Sequence, residues 1–121
     1  MVKERYVSHE VAKLLKDKGF NEPCVGYYSP EGKLKLLTYA ETNSEWFKNT
    51  SAPTQQMACD WLIENYKIYI DVSFVSGKGF VGSICDISNP DNSLSMLDTK
   101  CYPNIEPVYN EALKCILTTM I

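Results

Sequence analysis

The glycine-rich stretch GKGFVG, residues 77–82, is the part of the sequence that comes nearest to a phosphate-binding loop. Backbone amides in such a loop, together with a lysine, can surround anionic oxygens. In dinucleotide-binding folds, however, the loop joins a strand to a helix, whose N-terminus meets the pyrophosphate. Here the following residues have the pattern of a strand, so the stretch predicts a tight hairpin turn. The alternative is a small-nucleotide site in which Gly77, Lys78 and Gly79 hold a phosphate and Tyr69 stacks on the ligand.

Nucleophilic and metal chemistry have few candidate residues in this chain. The cysteines are scattered without a C-x-x-C pair, and His9 is the only histidine. Structural zinc needs about four sulfur or imidazole ligands, usually supplied as close pairs. A catalytic thiol needs an imidazole partner, which only His9 would provide. The sequence therefore predicts no catalytic residue, no metal and no cofactor. The five cysteines expected to be reduced and structural are Cys24, Cys59, Cys85, Cys101 and Cys115.

Aromatic side chains stand out in two otherwise polar segments. Trp46 and Phe47 interrupt the loop AETNSEWFKNTSAP, and Tyr102 lies in the long connection 88–104, which is rich in Asn, Asp and Ser. Exposed aromatic residues beside polar ones often anchor a protein partner. We therefore predict a partner-binding site at Trp46, Phe47 and Tyr102. The structural alternative is that the rings fold back over one end of the core.

Length and composition favour one globular domain, residues 1–121. The chain is 45% apolar and 22% charged, which is ordinary for a soluble domain of this size. A net charge of −3 argues against nucleic-acid binding, which requires a concentrated basic face. The N-terminus MVKERYVSHEV has no apolar stretch of signal-peptide length, and no run approaches the ~18 apolar residues of a membrane span. These features predict a cytoplasmic protein that does not enter a membrane.

Three helices follow from apolar residues that recur every three or four positions. The first is predicted over residues 8–18 with Ser8 as its N-cap. Thr54 is expected to cap the second, in which Trp61 lies in the buried stripe and Gln55 faces water. The third is the terminal segment EPVYNEALKCILTTMI.

Two hairpins separate these helices. Strands near residues 24–29 and 34–39 flank a Pro-x-Gly turn, and the alternation of residues 68–74 continues through a Ser-Gly-Lys-Gly turn into FVGSICDI. The predicted fold is α+β with the order α-β-β-α-β-β-α. In it a four-stranded, mostly antiparallel sheet carries the helices packed on one face.

Three motifs recur in the order in which they occur in a known group of proteins. They are K-G-F-N-E-P-C at residues 18–24 followed by Tyr27 and Tyr28, A-P-T-x-Q-x-x-x-D-W-L within residues 52–72, and Y-x-E-A-L at residues 109–113. In these motifs the chain resembles a family of small uncharacterised proteins from phages, prophages and mobile elements of gut Bacteroidetes. The resemblance implies a phage-associated accessory protein of the bacterial cytosol, and it implies no catalytic residues.

These observations together predict a non-enzymatic protein-binding module that contacts a host or phage protein, with a homodimer as a further form of association. Two alternatives from other classes stay open. One is a small nucleotide-ligand sponge that acts in counter-defence by sequestration. The other is a small hydrolase, whose polar cluster would be assembled from separate elements of the fold.

Overall fold

The computed structural model describes residues 3–45, 48–88 and 100–121, together with the backbone of residues 95 and 96. These residues form three α-helices, a 3-10 turn (Asn43–Glu45), a π-helical turn (Ile116–Met120) and two antiparallel sheets, which confirms the α+β class. The helices are α1 (His9–Asp17), α2 (Gln55–Tyr66) and α3 (Ile105–Cys115). The strands are β1 (Cys24–Tyr28), β2 (Leu34–Glu41), β3 (Thr50–Ser51), β4 (Ile68–Val75), β5 (Gly79–Asp86) and β6 (Ser95–Met96). In the part of the chain so described, no helix is long and apolar enough to cross a bilayer.

The first two helices begin at the caps that the sequence predicts. The Ser8 hydroxyl accepts a hydrogen bond from the Val11 N–H at 3.2 Å. The Thr54 hydroxyl accepts one from the Met57 N–H, also at 3.2 Å. Each bond satisfies a backbone donor that the first turn of a helix leaves without an intrahelical acceptor. The cap residues therefore fix where α1 and α2 start.

The two hairpins belong to separate sheets, of order β2-β1-β3 and β4-β5-β6. The strand β3 comes from a segment predicted as a loop, and it pairs with the second edge of β1, with Ser51 opposite Tyr27. Similarly, β6 pairs with the second edge of β5, with Met96 opposite Ser83. The predicted single four-stranded sheet is not confirmed, because these two short strands pair with the inner strands in place of the other hairpin.

The core lies between the helices and one face of the second sheet, and it also includes Cys24 and Tyr28 of β1. Ile68, Ile70 and Ile84 are buried on that face, which α2 and α3 contact. The Trp61 ring of α2 is also buried and meets the Phe20 ring edge-on, with 5.5 Å between centroids. By contrast, α1 packs against β3 and α3.

Polar contacts join the first helix to the last. The Ser8 N–H donates to the Asn110 side-chain oxygen at 3.2 Å. One turn further along, Lys114 Nζ and Glu10 Oε1 lie 3.2 Å apart on the surface. These contacts, and the apolar packing beneath them, hold α1 in place through α3.

The alternating apolar face of β4 extends beyond the core. Ile68 and Ile70 are buried and Val72 is half-buried, but Phe74 on the same face is 64% exposed. The helices therefore cover the start of this face and leave uncovered the end that meets the turn. The regular alternation predicts one continuous buried face, so the sequence does not reveal this change.

Candidate functional site

The predicted partner-binding residues are described only in part. Trp46 and Phe47 lie outside the described residues, as does most of the connection 88–104. Tyr102 is described, and it pairs with β5. The Phe80 N–H donates to the Tyr102 carbonyl at 2.7 Å, and the Tyr102 N–H donates to the Phe80 carbonyl at 2.8 Å. Two main-chain bonds thus fix the end of the long connection against the second hairpin.

The glycine-rich stretch forms the turn of that hairpin. The Lys78 N–H donates to the Val75 carbonyl at 2.9 Å, and Gly77 and Gly79 have φ angles of +78° and +115°. At Gly79 a Cβ atom would lie 2.4 Å from the Tyr102 carbonyl oxygen, whereas at Gly77 it would meet nothing within 4 Å. Gly79 therefore permits the close approach of the Tyr102 backbone, which is a structural role.

Alanine substitutions at Gly77 and Gly79 separate the cost of left-handed backbone from the cost of a clash with Tyr102. Gly77→Ala is expected to lower the free energy of unfolding by about 1–2 kcal/mol, since only the left-handed backbone is strained. Gly79→Ala is expected to lower it by a further 1–3 kcal/mol or so, because the new methyl group displaces the Tyr102 carbonyl. Urea denaturation of both variants measures the difference. Equal losses would contradict the packing role of Gly79.

The structure does not bring together the four residues predicted to bind a nucleotide. Tyr69 pairs with Cys85 near the start of β4, while Gly77, Lys78 and Gly79 lie at the turn beyond its end. Tyr69 is six positions from Val75 along the extended strand, which places its backbone about 20 Å from the turn. Four clefts of about 240 to 560 Å³ occur elsewhere on the described surface, and none is lined by these four residues.

Three aromatic residues form a patch beside the turn, which we call the aromatic tip: Phe74, Phe80 and Tyr102. The rings of Phe74 and Phe80 pack with 5.2 Å between centroids, on the face of the sheet that continues from the core. Lys100 Nζ lies 5.0 Å from the centroid of the Tyr102 ring, at the distance of a cation–π contact. The aromatic tip is thus an apolar surface built on fixed backbone and bordered by a positive charge.

A cleft of about 560 Å³ adjoins the aromatic tip at Phe80. Its other walls are the N-terminal segment and the start of α3, including Lys3, Arg5 and Ile105. Glu4 and Glu106 also line it, so the cleft carries both signs of charge. This mixed polar border around apolar rings is typical of a surface that contacts another protein.

Two buried polar residues are not predicted from the sequence. Gln55 is 2% exposed, contrary to the prediction that it faces water. Its side chain accepts a hydrogen bond from Arg5 Nε at 3.3 Å and donates one to the Glu106 carbonyl at 3.0 Å. Asn43, in the loop after β2, donates to the Phe20 carbonyl at 2.7 Å and accepts from the Ser51 N–H at 2.9 Å. Both side chains join segments of the fold.

The thiols near the core are poorly suited to act as nucleophiles. Burial raises the pKa of the Cys24 thiol to about 11 and that of the Cys59 thiol to about 12. Because a thiolate is the reactive form, both residues stay protonated and inert at neutral pH. Among the residues whose side chains are described, no group of three or more His, Cys, Asp and Glu side chains could hold a metal ion.

The chain is therefore a mixed α+β protein of three α-helices and two antiparallel sheets, and Phe74 is exposed in the aromatic tip at the end of its second hairpin. No family model matches the sequence, and no curated protein or solved structure matches it significantly.

Proposed function

We propose that the protein is a non-enzymatic protein-binding module that holds its partner through the aromatic tip. The observation that carries the proposal is Phe74, which is 64% exposed although it lies on the apolar face of β4 and packs on Phe80. Full burial of a Phe side chain contributes roughly 1.5–3 kcal/mol. A partner that covers Phe74 would gain much of this energy.

The ordered backbone that carries Phe80 and Tyr102 supports the proposal. Phe80 is held in β5 and Tyr102 is joined to it by two main-chain hydrogen bonds. Little conformational entropy is lost when such a surface binds, because its backbone is already ordered. Aromatic residues are also enriched among those that dominate binding energy at protein interfaces.

The sequence also favours a kind of partner and a cellular compartment for this function. The resemblance to small phage and mobile-element proteins favours a host or phage protein as the partner and the bacterial cytosol as the compartment. In this proposal Trp46 and Phe47 supply a second contact, as the sequence predicts, and the protein acts by occupying its partner.

The proposal is tested in two steps, beginning with partner identification. A photo-crosslinking phenylalanine analogue placed at position 74 is irradiated in lysate of a gut Bacteroidetes strain, and the adduct is identified by mass spectrometry. Binding of the identified protein to the wild-type chain is then measured by calorimetry. We expect Phe74→Ser to weaken that binding at least tenfold, because the central aromatic contact is lost.

The matched control is Ile87→Ser, which removes another exposed apolar side chain from the same sheet region. This variant is expected to bind within twofold of the wild type. Both variants should retain the wild-type circular dichroism spectrum. Equal binding by wild type and Phe74→Ser, or an adduct formed equally from position 87, would overturn the assignment of the aromatic tip.

A further inference from the structure

The outer edge of β2 is open and apolar. This strand lies at one end of the first sheet, and none of the described strands pairs with its outer side. Leu34 and Leu36 are 41% and 61% exposed, and Tyr39 is 60% exposed. Strands of this kind are templates for pairing with another chain.

The backbone of β2 directs N–H and carbonyl groups to this open edge. The Ser29 N–H donates to the Lys33 carbonyl at 3.0 Å, so Lys33 faces β1 with its hydrogen-bonding groups. Hydrogen-bonded and non-hydrogen-bonded pairs alternate along an antiparallel ladder. Lys35 therefore also turns its N–H and carbonyl towards β1, while Leu34 and Leu36 turn theirs to the open edge.

The charges of this segment differ between its two ends. Lys33 and Lys35 lie near the start of β2, where Glu31 in the turn offsets only one of them. The other end carries Glu41 and Glu45, and the second carboxylate raises the pKa of Glu41. A parallel copy of the strand would bring like charges together, whereas an antiparallel copy brings the lysines to the glutamates.

The same charges restrict the register of antiparallel pairing. A two-fold axis at Leu34 would set Lys33 opposite Lys35 of the second copy, and an axis at Lys35 would set the two Lys35 side chains opposite each other. Like charges directly opposite destabilise a strand pair. An axis at Leu36 avoids both conflicts and brings Lys33 within two residues of Glu41 of the second copy.

We propose that the protein self-associates through β2, which pairs antiparallel with β2 of a second copy about a two-fold axis near Leu36. The two three-stranded sheets would then form one six-stranded sheet across the interface. This surface is distinct from the aromatic tip, so either proposal can fail while the other holds.

A bulge limits the length of the paired segment. Cys24 pairs with Glu41 and Gly26 with Leu36, so residues 37–40 of β2 face Val25 alone. Bulges bend an edge strand away from regular pairing. The contact is therefore short, and we expect a weak dimer with a dissociation constant of about 1–100 μM.

Sedimentation equilibrium from 1 to 300 μM tests the proposal. The wild-type mass should rise from 13.7 kDa towards twice that value as the concentration increases. Leu36→Lys should weaken association at least tenfold, because it sets two like charges at the axis. Ile87→Lys, a matched change of an exposed apolar residue in the turn directly after β5, should leave it unchanged. A wild-type chain that stays monomeric at 300 μM would overturn the proposal, as would a dimer lost in Phe74→Ser but kept in Leu36→Lys.

Charge reversal tests the antiparallel arrangement. The first variant carries both Lys33→Glu and Lys35→Glu, which makes both ends of β2 acidic. The second variant carries Glu41→Lys, which makes the C-terminal end of β2 more basic. Each substitution acts twice in a two-fold dimer, so each variant alone should self-associate at least threefold more weakly. An equimolar mixture should associate more tightly than either variant by itself. A mixture no tighter than its components would refute the antiparallel arrangement.

Discussion

Replacement of Trp61 by alanine is expected to lower the free energy of unfolding by about 3–5 kcal/mol. The indole is buried between two rings, with 5.5 Å between its centroid and that of Phe20 and 5.5 Å to that of Tyr66. Truncation removes these contacts and leaves a cavity where the indole packed. Since small domains are stable by only about 5–15 kcal/mol, urea denaturation should show a large shift of the midpoint.

Tyr66→Ala provides the comparison for Trp61, because it removes one of the same ring contacts from a half-exposed position. We expect it to lower the free energy of unfolding by no more than about 1.5 kcal/mol. If Trp61→Ala were no more harmful than Tyr66→Ala, Trp61 would not be the packing centre of α2.

Asn43→Ala should also be strongly destabilising, with a loss of about 2–4 kcal/mol in the free energy of unfolding. Asn43 is 7% exposed. The change removes the hydrogen bond that its side chain donates to the Phe20 carbonyl and the one that it accepts from the Ser51 N–H. Removal of a buried hydrogen-bonding partner has a larger effect than removal of an exposed one. Thermal and urea unfolding both measure this loss.

Asn21→Ala is the matched control, because the Asn21 side chain bonds to Ser44, the residue that follows Asn43. Its side-chain oxygen accepts from the Ser44 N–H at 2.7 Å in an exposed part of the same loop. Water replaces such a bond, so the expected loss is about 0.5–1 kcal/mol. Losses of the same size in the two variants would show that burial of Asn43 contributes nothing.

Features set by neighbours in sequence could be predicted. Ser8 and Thr54 cap helices because each hydroxyl needs only an N–H three residues further along the chain. The Ser-Gly-Lys-Gly turn likewise depends on glycines within the turn itself. The burial of Gln55 and Asn43 could not be predicted because their partners lie far away in sequence, at Glu106 and Phe20.

The division into two sheets and the aromatic tip also depend on contacts between residues that lie far apart in sequence. β3 and β6 are two-residue strands, too short for an alternating pattern to predict them. Phe74 continues the alternation of Ile68 and Ile70 faithfully, and only the extent of the helices leaves it exposed. Of the partner-binding residues predicted from sequence, the structure places Tyr102 in this patch, whereas Trp46 and Phe47 are outside the described residues.

The contact between α1 and α3 has a consequence for biosynthesis. Ser8 and Asn110 are 102 positions apart, and a ribosome adds about 5–20 residues each second. The apolar side chains of α1, including Val11 and Leu15, therefore leave the exit tunnel roughly 5–20 s before the helix that covers them. During that interval α3 is not yet available to cover this apolar side of α1, so the packing of α1 is completed only after α3 has been synthesised.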